Sequence, residues 1–468
     1  MMAHALRDDT RSQRVVPEII PHSGRSVWPA VAVNVPKSQR QMSTDTILET
    51  LGNGVRIVIL PSPHRATASV SIFVRSGSEH ESARLNGISH VIEHMAFKGT
   101  RTRNCQQINL DAERLGAEVN AHTDKDHTAF HMRGHPRDAA TFIEMMGEIV
   151  QHSIFPDDEL TRERQVLLHE YAEDEDDGLE TAFRLFDKSC FGDHPAAQPV
   201  IGTRANLERF TRDDIVSFVQ SRYTGANTIV GVAGDIDPRQ IVDVARATFG
   251  GMAQGEPNRI VAPQFMGGIR SKKLTGTDQV HVVLGFPVPV LTEEHDAFTV
   301  AAALFGEGMS SPFLDRVRER RGLVYHADCF TDVRDAYGQF VVEASTTLQQ
   351  LDEFLGETTR LLRQQANVID SVDFERARNQ LTVRKLFVQD APEERVERAA
   401  IDLFALGRFR SQEELLAGIT GIDSAQVRAA FGQMLGTSAA VGVAGNIGKR
   451  IEERVARIAM DHGIAIAR

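Results

Sequence analysis

The residues best placed to do chemistry together are His90-Val91-Ile92-Glu93-His94. Ile88, Val91, Ile92, Met95 and Ala96 recur around them at helical spacing and predict one buried stripe. On such a helix His90 and His94 project from the same face, one turn apart. Glu93 then sits about 60° round the axis from His90. Two imidazoles beside a carboxylate suit zinc, with the Glu close to where an attacking water would stand. Catalytic zinc also needs a third protein ligand and an open position. Glu170 is a candidate, in the helical stretch Thr161 to Ala172. Glu163 precedes it by two turns and shares its face despite the drift of the helix. Each feature also has a plain alternative. An HxxxH pair is more often two hydrogen-bonded side chains, and most acids in the crowded run Asp157 to Glu180 belong to a solvated surface. His127 and His131 repeat the spacing in a strand-like pattern, where residues four apart stand about 13 Å from each other. They read as structural or chamber-lining.

The elements around these residues occur twice. Val230-Gly231-Val232-Ala233-Gly234-Asp235-Ile236 returns as Val441-Gly442-Val443-Ala444-Gly445-Asn446-Ile447, a shift of 211 residues. Helix-like stretches follow both copies, Pro238 to Phe249 and Lys449 to Met460. Val70, Ile72 and Val74 alternate as a strand ahead of the motif helix. Val280, Val282 and Leu284 do the same ahead of a helix near Ala297 to Phe305. A two-strand pattern follows in each half, Gly116 to Met132 and Leu323 to Ser345. The expected fold is α+β, with two homologous domains, each a mostly antiparallel sheet with helices packed on one face. Residues 1–44 form an N-terminal extension read as disordered, 45–250 the domain with the histidine motif, 251–267 a Gly/Pro-rich linker, and 268–468 the homologous domain. The second copy has no HxxEH; its helix offers Ala301, Ala302 and Ala303 instead, so one metal site is expected.

Gly87 to Thr100, read with these neighbours, closely resembles the zinc helix of the pitrilysin/insulinase family of inverted-motif metallopeptidases, which includes mitochondrial processing peptidase and its bacterial relatives. The family's third ligand is a Glu some 75 residues downstream in a helix beginning Glu-Arg. Here 75 residues lie between His94 and Glu170, and Glu163-Arg164-Gln165-Val166-Leu167-Leu168-His169-Glu170 matches that stretch. The resemblance implies Zn2+ held by His90, His94 and Glu170, with Glu163 supporting the site from behind. It implies Glu93 as general acid and base. Gly116 to Thr123 resembles the family's exposed edge strand, to which an extended peptide adds as another strand. Asn120 and Ala121 fall on positions that hold the substrate backbone, and Phe97 on one lining the pocket after the scissile bond. Arg318 to Tyr325 resembles a segment whose Arg and Tyr, seven apart, bind substrate carbonyls and stabilise the oxyanion from the opposite side of a closed chamber.

The function so implied is a zinc metalloendopeptidase that hydrolyses extended peptides or presequence-like segments inside a dimeric chamber. The chain supplies one two-domain unit, so its partner is a second copy or a homologous subunit. The alternative is a non-catalytic, peptide-binding or core subunit of a heterodimeric peptidase. A net charge of -12 argues against nucleic acid or an anionic membrane as main partner, and no stretch approaches the roughly 20 apolar residues of a membrane span. Three scattered cysteines suggest reduced thiols and a cytoplasmic setting, or a mitochondrial matrix in a eukaryote. Residues 1–41, with several Arg and few acids, read as a weak organelle presequence or a simple tail ahead of Met42.

Overall fold

Alternating apolar residues build two six-stranded sheets, one from each half of the chain. The computed structural model describes residues 46–467, so the expectations for residues 1–44 fall outside it. β1 (Ile47–Thr50), β2 (Arg56–Pro61), β3 (Ala68–Val74), β4 (Glu118–Thr123), β5 (Thr128–Gly134) and β6 (Thr228–Gly234) form the first sheet. β7 (Gly268–Lys273), β8 (Gln279–Pro287), β9 (His326–Val333), β10 (Gly338–Thr347), β11 (Ser438–Gly445) and β12 (Ala465–Ile466) form the second. The first runs β1-β2-β6-β3-β5-β4. In the second, β7 and β12 both lie along β11, followed by β8, β10 and β9. Thus β2-β6-β3-β5-β4 and β7-β11-β8-β10-β9 repeat one order, with β2–β6 and β7–β11 parallel and the other pairs antiparallel. Even the register repeats: Val70 stands opposite Val232, and Val282 opposite Val443. A slip of one residue would carry these side chains to the wrong face.

Five helices matter to the site: α1 (Ile88–Ala96), α2 (Asp157–Asp176), α3 (Gly178–Phe191), α4 (Asp296–Gly306) and α5 (Pro392–Leu406). One face of each sheet packs on helices of its own half. Val70, Ile72, Phe130 and Met132 share a core with Ile88, Val91, Ile92 and Met95 of α1. Val282, Leu284 and Val342 share one with Val300, Ala301 and Leu304 of α4. Each fully buried side chain of this size stabilises the fold by about 1.5–3 kcal/mol.

The other face of each sheet takes a helix from the opposite half. In α5, Val396, Ala399, Ala400 and Leu403 recur at helical spacing and pack on Val58, Leu60, Phe73 and Ile229 of the first sheet. In α3, Ala182, Phe186 and Cys190 pack on Val283, Val341, Ala440 and Ala444 of the second. This exchange accounts for one glycine of the repeated heptapeptide. A Cβ on Gly231 would meet Val396 Cγ1 at 2.2 Å, and one on Gly442 would meet the Ala182 carbonyl oxygen at 2.1 Å. The two halves also meet at their hairpin tips, where the half-buried Arg334 guanidinium reaches Asp124, Asp126 and Asp332, each at 3.1 Å. Residues 253–267 carry no helix or strand. Cys105, Cys190 and Cys329 are all free thiols. Among the described residues no helix is long and apolar enough to cross a membrane.

Candidate metal centre

The helix bearing the histidines is fixed at its first turn by Glu81. This buried carboxylate accepts the N–H groups of Gly87 (2.7 Å) and Ser89 (2.8 Å) and the Asn86 amide (3.0 Å). A helix start leaves unpaired N–H groups and a partial positive charge, and an acid there answers both. Burial pushes the Glu81 carboxyl up, while these bonds pull it back towards the charged form. Gly87 leads into the helix with φ +98°, and a Cβ there would stand 2.8 Å from Gly202 Cα, so the two loops pack backbone to backbone. Sequence reasoning missed Glu81, because an acid seven residues ahead of a helix matches no capping pattern.

α1 and α2 lie against each other, and their polar side chains converge. His94 Nε2 stands 3.4 Å and His90 Nε2 3.8 Å from Glu170 Oε2. The two rings are edge to face, with centroids 4.7 Å apart. His94 Nδ1 meets Glu163 Oε1 at 3.0 Å, and Lys98 Nζ meets Glu163 Oε2 at 2.7 Å. One nitrogen from each of two histidines and one carboxylate oxygen therefore lie within 4.8 Å of one another. That donor set fits zinc, whose bonds of about 2.0–2.2 Å to N and O span such separations. Burial and the neighbouring His94 push His90 down to about 3, which keeps its imidazole neutral, the form that binds metal. Burial alone would lower His94, but the Glu163 hydrogen bond and the nearby Glu170 carry it above its ordinary value. Burial opposes ionisation of Glu163, yet His94 and Lys98 hold its carboxyl down at about 2. A charged carboxylate behind a ligating imidazole fixes its tautomer and raises its basicity.

Glu93 faces the same space. His90, Glu93, Glu170 and Ala121 line a cavity of about 590 Å³ that extends to Phe330 and Val341 of the second sheet. Thr123 Oγ1 donates to Glu93 Oε2 at 2.7 Å, and burial pushes the Glu93 carboxyl up. β4 is the edge of its sheet, so the strand beside Glu93 has one unpaired backbone side. Asn120 on that strand is exposed, and its Oδ1 accepts the Ala121 N–H at 2.9 Å. The other sequence candidates lie elsewhere. Phe97 packs its ring 6.1 Å from that of Phe130 and is not among the residues lining the cavity. Arg318 places its guanidinium 3.7 Å from the Met309 sulfur, Tyr325 is 67% exposed, and neither lines the cavity.

Residues 56–204 match the family described as insulinase (peptidase family M16), and 209–381 the peptidase M16 inactive domain. A Streptomyces coelicolor protein named an uncharacterized zinc protease is 30% identical over 408 residues, 85% of this chain and 88% of that protein. A Rickettsia felis protein of the same description is 29% identical over 377 residues, covering 80% of this chain and 91% of that protein. The crystal structure of a protease from Helicobacter pylori superposes with a TM-score of 0.78 at 19% identity, over 86% of this chain and 99% of that one. At that identity the likeness is one of fold.

Proposed function

Because the chain belongs to the insulinase family of peptidases, M16, whose relatives here are named zinc proteases, we propose that it is a zinc metalloendopeptidase cleaving extended peptides. The observation that carries this reading is the convergence of His90, His94 and Glu170 beside Glu93 under an open strand edge. His90, His94 and Glu170 would hold zinc, which would supply a Lewis acid for the scissile carbonyl and lower the pKa of an attacking water to about 7. Glu163 holds His94 in the tautomer that presents Nε2. Glu93 takes a proton from the attacking water and delivers it to the departing amine nitrogen. The raised Glu93 carboxyl suits both halves of that transfer. Substrate lies along β4 as a further strand, its backbone paired near Asn120 and Ala121 and its alternate side chains pointing into the cavity.

Arg318 and Tyr325 act from a second unit. They lie outside the cavity of their own chain, as expected if a facing copy or a homologous subunit closes the chamber and presents its pair to the carbonyl.

Glu93→Gln tests the assignment. It keeps the three ligands, so zinc should stay near one equivalent at the centre while cleavage of a quenched fluorescent peptide falls at least about a hundredfold. Loss of zinc together with activity would make Glu93 a ligand. A wild-type chain that binds zinc but cleaves nothing, alone or with a homologous subunit, would favour a non-catalytic peptide-binding role.

A further inference from the structure

We propose that His122, His127 and Glu397 form a second zinc-class metal site, one that pins α5 of the second half to the β4–β5 hairpin of the first. The three donors come from the edge strand, from the residue preceding β5, and from a helix 270 positions further along the chain. His122 Nε2 stands 3.3 Å from His127 Nε2 and 3.4 Å from Glu397 Oε1, and His127 Nε2 stands 3.8 Å from the same oxygen. Ligands of a tetrahedral ion with bonds of about 2.0–2.1 Å are about 3.3–3.4 Å apart. The donor set and the 3.4 and 3.8 Å separations repeat those of the first centre.

The outward nitrogens are all engaged, and one tautomer of the histidine chain leaves both inward ones as lone pairs. His127 Nδ1 lies 2.8 Å from Asp126 Oδ1, an acceptor, so Nδ1 carries the hydrogen. Asp126 thus stands behind His127 as Glu163 stands behind His94. His122 Nδ1 lies 3.0 Å from His131 Nε2, and His131 Nδ1 lies 2.8 Å from Ser71 Oγ. With His122 donating to His131, two imidazole lone pairs and a carboxylate oxygen point at one another. In that tautomer the group draws a cation to its centre, a metal ion or a proton on His127; the opposite tautomer, with the hydrogen on His122 Nε2 facing Glu397, is the metal-free arrangement. Among the described residues no Lys or Arg pairs with Glu397. The adjoining Asp124 and Asp126 differ, since each pairs with Arg334. The His122 and Glu397 side chains are 39% and 35% exposed, so an ion has a way in.

The site lies on the α5 face of the sheet, through the strand from α1. An ion there would anchor β4 from behind while its free edge receives peptide, and would tie that strand to the second half of the chain.

Metal counting tests this apart from the peptidase reading. Stripped with chelator, re-equilibrated with zinc and desalted, the wild-type chain should hold about two equivalents by mass spectrometry. Glu397→Gln should hold one, Glu170→Gln one, and the double variant none. Cobalt(II)-loaded Glu170→Gln should still show the visible absorption of a low-coordinate N/O site, and this absorption should vanish in the double variant. This second arm stands even if Glu397→Gln alone folds poorly. One equivalent in the wild type, kept by Glu397→Gln and lost by Glu170→Gln, would overturn the second site, leave a proton-filled ion pair in its place, and leave the first centre intact. The reverse pattern would uphold the second site and remove the first.

Discussion

α1 and α4 occupy matching places in two sheets of one strand order, and only α1 carries candidate metal ligands. In α1 the stripe away from the core holds His90, Glu93 and His94. In α4 every residue from Val300 to Gly306 is buried, with Ala301, Ala302 and Ala303 where the motif would be. The scaffold is therefore indifferent to the proposed metal centre, which is built from a polar face on one helix and a second helix bringing Glu163 and Glu170. The second half uses the equivalent surface for core packing.

The largest effect expected from this division is in complementation. If a homodimer forms the chamber, a Glu93→Gln chain and an Arg318→Ala/Tyr325→Ala chain should each be nearly inactive. Mixed under conditions that allow exchange, random pairing should restore about a quarter of wild-type activity. No recovery from an active wild type would place both elements in one chain. Next, the two helices should respond oppositely to charge. Ala302→Glu, at a position 2% exposed, should destabilise the chain by about 3–5 kcal/mol in denaturant titration, whereas Glu93→Gln in α1 should leave the midpoint unchanged or higher. Leu403→Ala in α5 should cost about 2–5 kcal/mol although Leu403 belongs to the second half and packs on the first sheet. A loss under 1 kcal/mol would mean that the exchanged helix contributes little.

The smallest effect concerns Glu79, buried beside the hairpin tips. Burial and then Asp126 push its carboxyl up to about 8, so the folded chain keeps a proton that the unfolded chain releases above about 4.5. Stability from this group is full below that lower value and is lost as pH rises through about 8. The wild-type Tm should fall between pH 6 and pH 8, and Glu79→Gln should remove part of that fall. Equal slopes in the two proteins would show that Glu79 titrates normally.

Local pattern carried much of this into the sequence. The spacing of Ile88, Val91, Ile92 and Met95 marked α1, and the heptapeptide at 230 and 441 marked the duplication. What stayed hidden depends on distant residues meeting. The stripe Val396, Ala399, Ala400 and Leu403 says that α5 is buried on one side, but not on which sheet. His127 and His131 are too far apart to share an ion, and nothing near them announces that His122 lies between them or that Glu397 arrives from another helix. Glu81 was silent for the same reason, since a cap supplied through a loop leaves no fixed offset.

The exchange of α3 and α5 also sets a schedule for synthesis. The last strand of the first sheet is complete at Gly234, yet the helix that covers its outer face ends at Leu406. At about 5–20 residues per second, the intervening stretch of roughly 170 residues takes on the order of 10 to 30 s to emerge. Through that interval Val58, Leu60, Phe73 and Ile229 face solvent or a chaperone on the nascent chain, so the ribosome releases the first sheet with one side still bare.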